Sequence, residues 1–132
     1  MLNNGNLASA SEVTTVKLWN LETGKCINTL TGHMNDVTCL AVKDSGELLS
    51  SSSEKTIRVW DLITGLCTKT LVGHKGAVFS LKIHKQNFVA SSWSDKTIKL
   101  WNVENGECFQ TLNGHTGSIN FYLNSIYRTL SI

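Results

Sequence analysis

The feature that most constrains this 132-residue chain is a step of 41 residues at which unrelated residue types recur. Trp19, Trp60 and Trp101 stand one step apart, and Gly32-His33, Gly73-His74 and Gly114-His115 keep the same spacing. So do Cys26, Cys67 and Cys108, and Leu30, Leu71 and Leu112. Several residue types held in one register mean that the chain repeats a supersecondary unit, each copy burying apolar surface on its neighbours. Such a chain cannot fold into an unrelated single-core topology.

Within each step, short alternating segments are separated by turns bearing Gly, Asn or Asp, the pattern of strands. Residues 7–11, 14–19 and 25–30 read as three strands, preceded by the hairpin composition Asn3-Asn4-Gly5. Residues 37–42, 47–52, 56–60 and 66–71 read as four more. Residues 77–83, 87–92, 97–101 and 107–112 repeat that set, and 118–123 can form one further strand. Asn124 then stands where earlier copies carry Val42 and Ile83, and the pattern fades over 125–132. No segment has sustained helical periodicity, and the absence of Pro leaves every backbone N–H available to a strand ladder.

A period of 41 with Gly-His near one end and Trp-Asn or Trp-Asp near the other resembles the WD40 repeat family, over about residues 7–123. The resemblance implies an all-β fold of WD40-type β-propeller blades, each of four antiparallel strands, in an incomplete ring of two full blades with partial blades at both ends. Residues 1–31 are then a partial blade lacking its inner strand, 32–72 and 73–113 are complete repeats, and 114–132 start a further repeat that is truncated or divergent. Propellers close with about 4 to 8 blades, so the expectation is a fragment of a larger propeller. A second reading is assembly: residues 118–123 of one chain supply the inner strand missing before Leu7 of another, His115 approaches Ser9 and Trp19, and a homodimer closes a six-bladed ring. Val13, at the position where the family places an Asp, argues against it.

The resemblance also assigns a structural hydrogen-bond network. In WD40 blades a His, a Ser or Thr of the second strand, an Asp of the next turn and the Trp of the third strand bond to one another. His74, Ser91, Asp95 and Trp101 fill all four positions, and His33, Ser50, Glu54 and Trp60 fill them with Glu in place of Asp. Glu is one methylene longer, which predicts a looser set. The first copy retains Ser9 and Trp19 but has neither the His nor the acid. A buried imidazole or indole N–H left without a partner costs about 1–3 kcal/mol, which is the physical reason for the set. The His-Ser-acid trio also has the members of a hydrolase triad, but the three recur at structural positions, so no catalytic residue is assigned.

Other positions carry weaker signals. His84 reads as a solvated turn histidine. Lys17, Arg58 and Lys99 share one repeat position and read as a solvated face. Trp93 interrupts a serine-rich strand where other copies carry Ser11 and Ser52, and reads first as packing between blades and second as an exposed anchor. The candidate partner-binding positions are Met34, Asn35, Ser53, Lys75, Gly76, Trp93, Ser94 and Thr116, because specificity tends to live in loops on a fixed scaffold.

A net charge of +2 points to neither a nucleic-acid groove nor a membrane patch. No apolar run approaches the roughly 18 residues of a membrane span, and Met1-Leu2-Asn3-Asn4 does not begin a signal peptide. The four cysteines follow strand positions and read as reduced packing residues. An intracellular location, cytoplasmic or nuclear, is expected. Together with the resemblance these readings predict a non-catalytic protein–protein interaction scaffold that binds other proteins, with no cofactor, no metal and no nucleic acid. The alternatives are an enzyme built on a propeller pocket and an incomplete propeller without independent function.

Overall fold

The computed structural model describes residues 2, 4–10, 14–84, 87–93 and 97–113. Among them are eleven strands: β1 (Leu7–Ala10), β2 (Val16–Asn20), β3 (Lys25–Leu30), β4 (Val37–Val42), β5 (Leu48–Ser52), β6 (Thr56–Asp61), β7 (Leu66–Val72), β8 (Val78–His84), β9 (Phe88–Trp93), β10 (Ile98–Asn102) and β11 (Glu107–Leu112). They form three antiparallel meanders, β1-β2-β3, β4-β5-β6-β7 and β8-β9-β10-β11. The all-β reading and the four-stranded sheets agree with the sequence. The strand expected from residue 14 starts at Val16 because Thr14 adopts φ 61°, which breaks the extended run. The strand expected over 118–123 lies outside the described residues.

The Trp-Asn or Trp-Asp pair has a local cause. Asn20, Asp61 and Asn102 end β2, β6 and β10, and each side-chain oxygen accepts the backbone N–H groups two and three residues on. That is how a short polar side chain closes a turn. In all three sheets the pairing then slips by one residue beside the Trp, so Ile27, Thr68 and Phe109 are bulged on the last strand.

Alternation along each strand sends successive side chains to opposite faces. From the first sheet Val16, Leu18 and Leu30 pack on Val37, Leu48 and Trp60 of the second. From the far face of the second, Leu49, Ile57, Val59 and Leu71 pack on Val78, Leu81, Val89 and Trp101 of the third. These are the same repeat positions moved on by one step. Each fully buried Val, Leu or Ile contributes about 1.5–3 kcal/mol, so the inter-sheet seams hold the molecule together. Polar links reinforce the seam between the second and third sheets. Thr38 donates from β4 to the Val78 carbonyl at the start of β8, 2.5 Å, and lies 2.8 Å from Ser51 Oγ. On the outer side Lys69 donates to the carbonyls of Val103 and Glu104.

Candidate functional site

Gly32-His33 and Gly73-His74 sit in the links that carry the chain from one sheet into the next. Gly32 has φ +150°, and a Cβ there would stand 3.3 Å from the Trp60 ring and 3.0 Å from Arg58 Nη1. At Gly73, φ +156°, a Cβ would stand 3.1 Å from the Trp101 ring. The link lies directly on the indole, in a conformation that L side chains rarely adopt. Glycine and tryptophan therefore recur together because one makes room for the other.

The next residue is the histidine. His33 Nδ1 lies 2.5 Å from Glu54 Oε1 and Nε2 lies 2.6 Å from Ser50 Oγ. Trp60 Nε1–H donates to the same Ser50 oxygen at 2.8 Å. Since Glu54 can only accept, the imidazole donates from Nδ1, Ser50 donates to Nε2, and Ser50 accepts from the indole. Glu54 also accepts from the Thr56 hydroxyl at 2.9 Å and, through Oε2, from the Met34 N–H at 3.0 Å. Asp95, against which Glu54 is expected to form a looser set, lies outside the described residues. The extra methylene lets the carboxylate span three donors at once, and the clasp is compact.

Burial holds the His33 imidazole below its ordinary pKa, although the hydrogen bond and charge of Glu54 oppose that shift; the charge of Arg58 adds to it. For Glu54 burial works to raise the pKa, but the hydrogen bonds from His33, Thr56 and Met34 together outweigh it and leave the carboxyl below its ordinary value. Neutral imidazole beside carboxylate is the state both shifts favour near neutral pH.

In the third sheet His74 Nε2 lies 2.5 Å from Ser91 Oγ, which accepts from Trp101 Nε1–H at 2.8 Å. The buried Nδ1 has no hydrogen-bond partner among the described residues. Asp95, expected to accept from it, lies outside them. Burial, with a smaller contribution from the Lys99 charge, pushes the His74 pKa down to about 3. In the first sheet Trp19 Nε1–H donates to Ser9 Oγ at 2.9 Å, and among the described residues that pair is present without an imidazole. Ser50 and Ser91 are fully buried beneath their tryptophans. Neither hydroxyl can meet a substrate where it stands, and the trio acts as a clasp joining inter-sheet link, second strand and third strand.

The candidate contact positions separate on exposure. Met34 is 83% exposed, Asn35 and Lys75 are also exposed, and Ser53 and Gly76 are half-buried. Ser94 and Thr116 lie outside the described residues. Trp93 follows the first of its two readings, packing, and is corrected only as a partner-binding position: it is buried, packs edge-on against the His74 ring at 5.1 Å and gives its indole N–H to Thr97. All of β5 and most of β9 are buried, so a tryptophan on that strand is drawn inside. His84 is a second correction, since it is the buried last residue of β8, paired with Phe88. Lys17, Arg58 and Lys99 are half-buried rather than freely solvated. Lys17 and Lys99 reach Thr29 and Thr111 on the next strand at 3.4 and 3.0 Å, while Arg58 lies 3.7 Å from Glu54. Sequence reasoning missed Thr38 and Thr97 for different reasons. Thr38 does not recur, since the step places Phe79 at its position. Thr97 does recur, with Thr15 and Thr56, and that shared position was the signal that could have marked it.

A family model described as "WD domain, G-beta repeat" matches residues 24–61 and 65–102. The first match runs from the turn before β3 to the end of β6, so the sequence unit straddles two sheets. Among curated proteins, "Mitochondrial division protein 1" of Phaeosphaeria nodorum (strain SN15 / ATCC MYA-4574 / FGSC 10173) is 46% identical over 41 residues, one repeat step. That stretch is 31% of this chain and 6% of the relative, so the similarity reaches a small part of that protein.

Proposed function

The chain belongs to the WD40 repeat family, and from that premise we propose that it is a non-catalytic scaffold for protein–protein interaction, a piece of a larger propeller. It binds partner proteins through the loops at the Gly-His end of the sheets. One observation carries the reading. The polar side chains best equipped for chemistry, His33, Ser50, Glu54, His74 and Ser91, are turned inward and bonded to scaffold atoms, while Met34, Asn35 and Lys75 beside them face solvent. Two residues past each Gly-His glycine the chain is free to vary without disturbing the clasp, the arrangement in which specificity resides in loops. The reading includes an intracellular setting, cytoplasmic or nuclear.

A photoreactive residue placed at Met34 or Lys75 tests this against the same probe at Ser45, on the turn at the opposite end of the second sheet. Partner-protein adducts should form from positions 34 and 75 and not from 45. Equal labelling from all three would refute a preferred face. Saturable hydrolysis of an ester or phosphate substrate, lost in His74→Ala with the fold retained, would replace the scaffold reading with an enzymatic one.

A further inference from the structure

The two ends of the sheets differ in charge. The links bearing Gly32-His33 and Gly73-His74 and the turns between second and third strands share one end, where the Met34 N–H reaches Glu54. Among the described residues, Lys17, Lys55, Arg58, Lys75 and Lys99 stand in these loops or in the adjoining halves of β2, β6 and β10, with Asp36 and Glu54 as the carboxylates. At the far end, or in the strand halves that lead to it, Lys25, Lys43, Lys69 and Lys82 stand with Glu22, Asp44, Glu47, Asp61, Glu104 and Glu107. The Gly-His end therefore carries an excess of three positive charges, five less two, and the far end an excess of two negative charges, six less four. A net charge of +2 over the whole chain hides this polarity.

The positive end also presents apolar side chains. Met34 is 83% and Val72 71% exposed. Val72 pairs with Thr56, the residue after Lys55, and the Met34 N–H is held by Glu54, the residue before it, so Met34, Lys55 and Val72 border one turn. Lys75 follows three residues after Val72, in the next link. Lys55 and Lys75 are exposed, whereas Lys17, Arg58 and Lys99 are half-buried and contribute field rather than contact. Lys55 holds φ 80° with its N–H on the Ser52 carbonyl, so its backbone is fixed as that of Met34 is. Glu54 is not free to meet a cation from outside, since it accepts from His33, Thr56 and Met34 and lies 3.7 Å from Arg58. Asp36 is the one exposed carboxylate at this end among the described residues.

Two exposed ammonium groups beside two exposed apolar side chains match a ligand that joins carboxylates to a bulky apolar side chain. We infer that the Gly-His end of the second and third sheets binds an acidic protein segment, with carboxylates facing Lys55 and Lys75 and a large apolar side chain against Met34 and Val72. This deepens the scaffold reading, on which it rests, by naming the chemistry of the partner. A nucleic acid fits less well. It is held through many Lys and Arg contacts to phosphates, whereas two exposed cations stand here among the described residues, and Met34 and Val72 offer nothing to a phosphate backbone. In the proposed complex the lysines steer encounter and make binding salt-sensitive, and the apolar pair supplies surface removed from water.

Selection of a random twelve-residue peptide library on the full chain is the test, repeated on a double variant carrying Lys55→Asn and Lys75→Glu. Asn tolerates the positive φ of position 55, so the charge is removed without forcing the turn. Peptides enriched on the native chain should be acidic and carry a large apolar residue, and the double variant should not enrich them. By fluorescence anisotropy an enriched peptide should bind the double variant at least tenfold more weakly and Met34→Ala roughly threefold more weakly. It should bind Asp36→Asn more tightly and lose affinity as salt rises from about 50 to about 300 mM. Met34→Ala and Asp36→Asn decide the matter if the double variant fails to fold. Lys25→Glu, at the far end, should leave the affinity unchanged. Basic or uncharged enriched peptides, no enrichment, equal binding by native chain and double variant, or displacement by a single-stranded oligonucleotide at equal concentration each overturn the inference. Photolabelling confined to positions 34 and 75 would then still support a loop-end scaffold, whereas equal labelling from position 45 would refute that reading itself.

Discussion

Acid should unfold this protein through His33 and His74, and His74 allows the size of the effect to be worked out. Its folded pKa lies near 3, below the ordinary 6.5. A group whose folded pKa is depressed takes up its proton more readily in the unfolded chain, so stability falls as pH drops below the unfolded value. For a histidine the loss begins near pH 6.5 and continues until the folded pKa is reached. Between pH 7 and pH 5 the linkage relation gives about 2 kcal/mol for this one residue. At a urea m-value of about 2 kcal/mol/M the unfolding midpoint should drop by roughly 1 M. The buried His33, also depressed, adds to the loss over the same range. Urea titrations at both pH values on the native chain and on His74→Gln separate the two. Gln does not titrate, so the variant should lose about 2 kcal/mol less between pH 7 and 5 even if it is less stable throughout. Equal losses in the two proteins would show that His74 is not held neutral by burial and that its Nδ1 is satisfied from beyond the described residues.

Three further outcomes follow from the same geometry. Glu54→Ala removes the acceptor for His33, Thr56 and the Met34 amide and should cost about 1–3 kcal/mol in denaturant titration. Gly73→Ala forces a Cβ to within 3.1 Å of the Trp101 ring at φ +156° and should lower stability by about 1–3 kcal/mol, with a change in tryptophan emission; an unchanged melting curve would refute the close-approach account. Trp93→Ala should cost about 3–5 kcal/mol in calorimetry, whereas a surface anchor would cost almost nothing.

The repeat step made most of the fold legible, since one register fixes strand order, the faces of each strand and the Gly-His to Trp coupling together. What it could not supply was whatever differs from copy to copy. Thr38 bridges two sheets through a hydroxyl that no other copy has at that position. Thr97 accepts the indole N–H of Trp93, a tryptophan that no other copy has at that position. Trp93 offered two readings because a large side chain on a serine strand is unusual by either; it is resolved by the burial of the whole strand. Side-chain length alone does not describe the Glu54 clasp. Reach matters only relative to where the donors stand, and the Met34 N–H and Thr56 hydroxyl are fixed by the loop and the strand, which sequence spacing does not place.

The clasp and the loops are two halves of one design. In the second sheet Glu54 Oε2 accepts from the Met34 N–H, so the backbone of a highly exposed loop residue is tied to the buried Trp60 through Glu54, His33 and Ser50. A loop held by its backbone can change its side chain without disturbing the scaffold, and it offers that side chain in a fixed position. Preorganised contacts of this kind bind with less loss of loop freedom than flexible ones. Met34 therefore belongs to a rigid contact point, and a partner that reads it should lose affinity when that side chain is changed.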